Sequence, residues 1–316
     1  VQLSDSDLQL ARQQLAFAQR LRQHDRLYPS ERYEPHAWTE RGPRAGRQSG
    51  QAQFHEAERP IRVMAPGNGW GGTTALGAEV DAWARGTQRW RPTPPPPVRM
   101  VWFCPEFRQF DIVRWNLEQF CIGYTPRFVT GGFGGPRYIW PNGSTLYLCS
   151  YDRSWTHIQG IELDLAAFDE QPPIMLWREM MQRRRGIRKC EYICKATQTK
   201  GYSWMATELY EPWKEHHQQR GVMDEERMVL EQLHPDMWVW PFGGCHDNPA
   251  LDAQDIEWYE TRRWSSAKER KVRLFGGFES WTGDAVFDQD ALDWMRAMQG
   301  RWDEEFGAGR SGMLVA

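Results

Sequence analysis

The residues with the clearest chemical potential lie in MAPGNGWGGTTALGAEVDAW, positions 64–83. A phosphate-binding loop needs a strand, a glycine-rich turn whose N–H groups point inward, a helix N-terminus facing the anion, and a hydroxyl for Mg²⁺. The run IRVMA at 61–65 supplies a strand, Pro66-Gly67-Asn68-Gly69-Trp70-Gly71-Gly72-Thr73-Thr74 a turn, and TALGAEVDAWA a helix. Aligned on GxxxxGK[ST], the first glycine falls on Pro66, the last on Gly71, the lysine on Gly72 and the hydroxyl on Thr73. Two defining positions therefore depart from the pattern. A lysine at this point neutralises the β- and γ-phosphates, whereas Gly72 offers only a backbone N–H. Three explanations stay open: an altered or register-shifted position 72, a cation from elsewhere such as Arg62, or a natural site with weak hydrolysis.

A second signal is IELDLAAFDEQPP, an apolar run ending in Asp169-Glu170. Acids at the C-terminal end of a strand sit where α/β sheets bind ligands, so Asp169 can hold Mg²⁺ and Glu170 can polarise an attacking water. A third is ICKATQTKGYSW, whose Thr197, Gln198 and Thr199 would lie beside Glu170 and sense the γ-phosphate.

These residues need a scaffold that collects strand ends. From residue 61 short apolar runs alternate with helical patterns, the signature of a parallel sheet covered by helices. Strands are expected at 61–65, 98–104, 161–168 and 190–196, and helices at 73–84, 106–120, 173–184 and 204–218. TPPPP at 93–97 reads as a stiff extended link, because proline fixes φ and blocks helix. PRYIWPNGSTLYLCS at 136–150 reads as a hairpin with a two-residue turn at Asn142-Gly143. Residues 5–24 form an amphipathic helix by spacing, and an irregular Pro-, Gly- and Arg-rich segment follows. Beyond 220 the pattern is helical with Trp-rich connectors. The expected division is an N-terminal arm over 1–50, a nucleotide-binding core over 51–220 and a helical connector over 221–316.

Composition bounds the classes of function. The 316 residues are 40% hydrophobic and include 18 Trp, which argues for a globular chain. The 39 Lys and Arg against 42 Asp and Glu give a net charge of -3, so no overall basic field draws the protein to nucleic acid or membrane. No apolar run approaches the ~18 residues of a membrane span. The six cysteines form no CxxC pair, which suits a reducing compartment.

The ordered set QAQFHEAERPIRVMAPGNGWGGTTALGAEV, IQGIELDLAAFDEQPP and KATQTKGYSW resembles the ATPase domain of tailed-bacteriophage large terminase subunits, the motors that pump viral DNA into a procapsid. The resemblance covers roughly residues 50–288 and continues into DNPALDAQDIEWYE and RLFGGFESWTGDAVF, which look like that family's connector. It implies a RecA-like, ASCE-type P-loop NTPase with a mainly parallel sheet flanked by helices, using ATP and Mg²⁺. By the resemblance Gly67 to Thr74 match the Walker A loop, with Pro66 at the head of the nucleotide-binding set, Thr73 and Asp169 match the metal-binding residues, and Glu170 the catalytic glutamate. Thr197, Gln198 and Thr199 match the coupling motif, Gln51 the glutamine near the adenine, and Arg153 the arginine that stabilises charge on the γ-phosphate. The partners implied are double-stranded DNA, portal protein and small terminase, with the chain in a homo-oligomeric ring in the infected host cytoplasm, docked transiently on the procapsid and absent from the virion. The family's nuclease activity belongs to a separate domain rich in acids. Nothing after Val286 has that spacing, and Asp288, Asp290 and Asp293 read as a solvated helix face.

Other candidates are weaker. MMQRRRGIRK at 180–189 could meet DNA phosphates or simply complement a helix dipole. His216-His217 and Cys245-His246-Asp247 lack the spacing of a metal site. Trp238, Trp240, Trp258 and Trp264 read as packing residues, while Trp70 would stack beside a nucleotide or shield the loop from water.

Overall fold

The computed structural model describes residues 33–278 except 122–123, 133–134, 153–157, 185–188 and 200–202. The expected helix at 5–24, Arg153 and the acids Asp288, Asp290 and Asp293 lie outside the described residues. In chain order the named elements are α1 (Gln51–Glu56), β1 (Ile61–Met64), α2 (Gly72–Arg85), β2 (Arg99–Cys104), α3 (Phe110–Phe120), β3 (Arg127–Val129), β4 (Arg137–Ile139), β5 (Thr145–Ser150), β6 (Leu165–Asp169) and α4 (Ile174–Met181). Then follow β7 (Glu191–Lys195), α5 (Glu211–Gln218), α6 (Glu225–Glu231), β8 (Met237–Trp240), α7 (Ala253–Thr261) and α8 (Ala267–Phe275).

The eight strands form one sheet in the order β3-β4-β5-β2-β6-β7-β1-β8. From β5 to β8 along that order every pairing is parallel, and β4 alone runs against the others, pairing antiparallel with both β3 and β5. Strands covered on both faces should be apolar throughout, and β1, β6 and β8 are buried at every position. Helix α2 covers β6 and β7 on one face, with α3 packed beside it through Phe110, Val113, Leu117 and Phe120 at helical spacing. The main core runs along the whole sheet, and a smaller cluster of Cys245, Ile256 and Leu274 gathers the segment after β8.

Several expected boundaries shift. The strand expected from residue 161 begins at Leu165, because the Asp164 carboxylate accepts the Arg99 N–H at 2.7 Å and caps the start of the pairing. The helix expected over 106–120 opens with a 3₁₀ turn at Phe107–Gln109, and the one expected over 173–184 is α-helical only to Met181. Within 204–218, Ala206–Tyr210 is π-helical before α5 begins. Pro212, which has no N–H to donate and whose ring crowds the preceding turn, accounts for that widening. The hairpin turn carries three residues, Pro141 to Gly143, closed by the Trp140 N–H on the Ser144 carbonyl at 2.9 Å.

The larger correction concerns the segment beyond 220, expected to be helical outside the core. Met237–Trp240 is a strand, and it pairs with β1 in parallel register from Ile61↔Met237 to Met64↔Trp240. The central sheet therefore extends past the expected boundary. Trp238 and Trp240 are buried sheet residues, with no face offered to a base.

Candidate nucleotide site

The functional candidates converge where β1, β6 and β7 end. Strand β7 lies between β1 and β6, with Met64 and Asp169 both in register with Lys195. The loop that leaves β1 and the acids that end β6 thus meet across the last residue of β7. They border an open cleft of about 960 Å³ lined by residues 67–74, Glu170, Lys195, Thr197, Thr199, Tyr151, Trp204, Tyr259 and Arg273, among others.

The glycine-rich loop ends at Gly71, which caps α2 with φ 89°, and α2 starts at Gly72 with its N-terminal N–H groups at the cleft. Gly67 has no room for a side chain, since a Cβ there would overlap the Arg273 carbonyl. That contact exists because α8 folds back on the loop: the Asn68 N–H donates to Arg273 O at 2.6 Å and the Gly67 N–H to Gly243 O at 2.7 Å. Asn248 adds a bond from Nδ2 to the Gly69 carbonyl at 2.7 Å. The segment expected to be a helical connector is a wall of the loop.

Thr73 and Asp169 come together, with the Thr73 hydroxyl 3.2 and 3.3 Å from the two Asp169 carboxylate oxygens. A hydroxyl and a carboxylate this close suit Mg²⁺, which takes few protein ligands and completes its shell with phosphate oxygens and water. Burial pushes the Asp169 carboxyl up, Lys195 pulls it down, and Glu170 adds to the rise, leaving it above the ordinary range. Glu170 sits at φ 71°, a left-handed conformation that is uncommon outside glycine. Three contacts hold it there: its N–H donates to Lys195 O at 2.6 Å, its carbonyl accepts Tyr151 Oη at 2.8 Å, and its Oε2 accepts the Thr197 N–H at 3.0 Å.

Lys195 is the residue that sequence reasoning missed. Its Nζ pairs with the Glu170 carboxylate and lies 3.5 Å from Asp169 Oδ1. Burial alone would lower its pKa, but Glu170 and Asp169 raise it well above the usual lysine value, so the ammonium stays charged at neutral pH. The one sequence signal was its place at the head of KATQT. Tyr259 and Arg273, from α7 and α8, also line the cleft, and their spacing carried no hint of it.

Other candidates are placed differently. Arg62, offered as a substitute cation, is fully buried, with Nη1 2.8 Å from Phe54 O and Nη2 2.7 Å from Glu79. It points into the covered face of the sheet and cannot reach the cleft. Gln51 lies behind the loop, its Oε1 accepting the His36 N–H at 3.1 Å and its Nε2 adjoining Gly71. Gln198 turns inward: its Oε1 accepts from Ser203 at 2.8 Å and its Nε2 donates to Met205 Sδ at 3.4 Å. Trp70 is 1% exposed and donates from Nε1 to Ser49 O at 3.0 Å, a wedge under the loop. In the basic run, Arg183 donates to Ile158 O and Ile161 O at 3.0 and 3.1 Å, while Arg185 and Arg188 lie outside the described residues. All six cysteines are buried, and none is in a disulfide. Among the described residues no helix is long and apolar enough to cross a membrane.

No family model matches the chain, and no curated protein matches it. Solved structures do. The large terminase of a thermophilic bacteriophage aligns over 77% of this chain at a TM-score of 0.54 and 15% identity, and the chain spans 57% of that protein. The ATPase domain of the Thermus phage P74-26 large terminase aligns over 73% of this chain and 93% of its own length, at a TM-score of 0.50 and 18% identity. The chain therefore resembles phage large terminases in structure, and its fold is the RecA-like fold of their ATPase domains.

Proposed function

We propose that this chain is the ATPase domain of a viral large terminase and that it couples hydrolysis of Mg·ATP to movement of double-stranded DNA into a procapsid through the portal. The observation that carries the reading is the convergence of a phosphate-type loop, the Thr73–Asp169 pair and Glu170 on one cleft of a terminase-like fold. The N–H groups of residues 69–74, at the end of the loop and the N-terminus of α2, hold the phosphates, while those of Gly67 and Asn68 tie the loop to the segment after β8. Thr73 and Asp169 would hold Mg²⁺, and the bound ion would supply positive charge against that developing on the phosphoryl oxygens. Glu170 orients the attacking water, and its fixed backbone aims the carboxylate before nucleotide arrives. Thr197 and Thr199 sense the γ-phosphate, and Gln198 anchors their loop to the segment that leads into α5. Gln51 buttresses the loop near the adenine, and Arg153 serves the γ-phosphate of the same or a neighbouring subunit. On this reading the chain works as a homo-oligomeric ring with portal and small terminase, in the host cytoplasm.

Titration calorimetry tests the site. Mg·ATP should bind, and Asp169→Asn should weaken binding in Mg²⁺ while changing it little in excess chelator. Absence of any binding by the parent chain would instead favour a module that keeps the fold and engages portal, small terminase or DNA without nucleotide.

A further inference from the structure

The open question at the loop is what supplies the charge that a lysine at position 72 would bring. A Cβ built on Gly72 would lie 2.5 Å from Lys195 Cγ, 3.1 Å from Cε and 3.2 Å from Cδ. The aliphatic stem of Lys195 therefore fills the space that any side chain at 72 would need first. Its ammonium ends among Asp169 and Glu170, at the border of the cleft that the loop and the Thr73 hydroxyl face. Among the described residues lining that cleft the only other cation is Arg273, whose Nε is committed to Glu269 at 2.7 Å. Arg62 is sealed beneath the sheet. The absence of a side chain at 72 and the presence of a half-buried lysine at 195 are complementary in volume and in charge.

We infer that Lys195 is the phosphate-binding cation of this site, presented from the end of β7 in place of a lysine from the start of α2. The assignment rests on the nucleotide-site reading above and deepens it. Register explains how a strand can replace a helix as the source of the charge. Because β7 is flanked by β1 and β6, its last side chain stands between the phosphate loop and the metal-binding acid. Without nucleotide, Asp169 and Glu170 compensate the ammonium. A polyphosphate in the loop offers a denser negative charge, and transfer of the ammonium toward it frees the Glu170 carboxylate for water. Gly72 is then required by the packing of Lys195, and a lysine restored at 72 alone would collide with it.

The test is Mg·ATP affinity in the Glu170→Gln background, where turnover does not interfere and Lys195 has no Glu170 charge to balance. Adding Lys195→Met, which keeps the stem and removes the charge, should weaken affinity by about 10- to 100-fold, the range of one lost charge-assisted contact. Moving the charge, as Lys195→Ala with Gly72→Lys in the same background, should recover affinity to within a few-fold, whereas Gly72→Lys with Lys195 intact should bind worse than its parent. Unchanged affinity in Lys195→Met would overturn the assignment, as would a loss seen only when Glu170 is present, which would make the lysine a mere counter-ion. Should Lys195→Met fail to fold, the relocated pair decides: folded protein without recovered affinity contradicts the inference. If the parent binds no Mg·ATP, the nucleotide site itself falls and the assignment with it, an outcome distinct from normal binding that ignores Lys195.

Discussion

Thr73 on α2, Asp169 and Glu170 at the end of β6 and Lys195 on β7 are linked in a chain of direct contacts, and the backbone around them is tied down on several sides. Gly67 shows how narrow the tolerance is. Its Cβ would overlap the Arg273 carbonyl, so Gly67→Ala must push α8 off the loop or shift the loop itself. We expect a loss of about 1–3 kcal/mol in urea unfolding, the usual cost of overpacking, together with weakened nucleotide binding. Stability equal to the parent would mean that α8 does not press on the loop. That the loop, Thr73 and the Asp169-Glu170 pair would meet was legible in the sequence, because each is a local pattern at the end of a strand; the chemistry given to them is the proposal. Lys195 was not, because its importance depends on which strands become neighbours. Arg62 misled for the same reason: side chains alternate along a strand, and its position on β1 sends it to the covered face.

At the scale of elements, a buried charge cluster stitches the sheet to its helices. Glu79 on α2 meets Arg62 on β1 at 2.7 Å, His55 on α1 at 2.7 Å and Arg91 on the following link at 3.1 Å, while Arg91 also reaches Glu191 at the start of β7 at 2.7 Å. Burial alone would raise the Glu79 pKa, but Arg62, His55 and Arg91 hold it far below its ordinary 4.5. A depressed folded-state pKa contributes stability that is present above the unfolded value and lost as pH falls toward the folded one. The protein should therefore lose stability on acidification below about pH 4.5, and Glu79→Gln should remove that component while costing about 3–5 kcal/mol at neutral pH by leaving buried arginine unpaired. Parallel pH profiles for the two proteins would refute the role given to Glu79. The strands and helices of the core were readable from hydrophobic period, with ends displaced where a capping acid or a proline intervenes. Strand β8 escaped because MWVW is too short to show a period and sits in a Trp-rich stretch that reads equally well as packing. Strand β3, also short, had no better signal.

For the whole molecule, the segment after β8 returns to the glycine-rich loop. Gly243 and Arg273 accept from loop N–H groups, and the Gly277 N–H donates to Ala65 O at 2.9 Å. A ligand that orders the loop should also order this segment, since both share those bonds. Amide hydrogen exchange should slow across α7 and α8 as well as in residues 67–74 when Mg·ATP is added; protection confined to the loop would separate the two. The chain order of motifs indicated the fold class, but this return path joins residues some two hundred positions apart and has no local signature. The central claim, that the cleft hydrolyses ATP with Glu170 orienting the water, is tested most directly by steady-state ATP turnover in Mg²⁺ with double-stranded DNA, comparing the chain with Glu170→Gln. The account predicts turnover in the parent and a fall of at least about 100-fold in the variant with Mg·ATP binding retained; equal turnover in the two would contradict it.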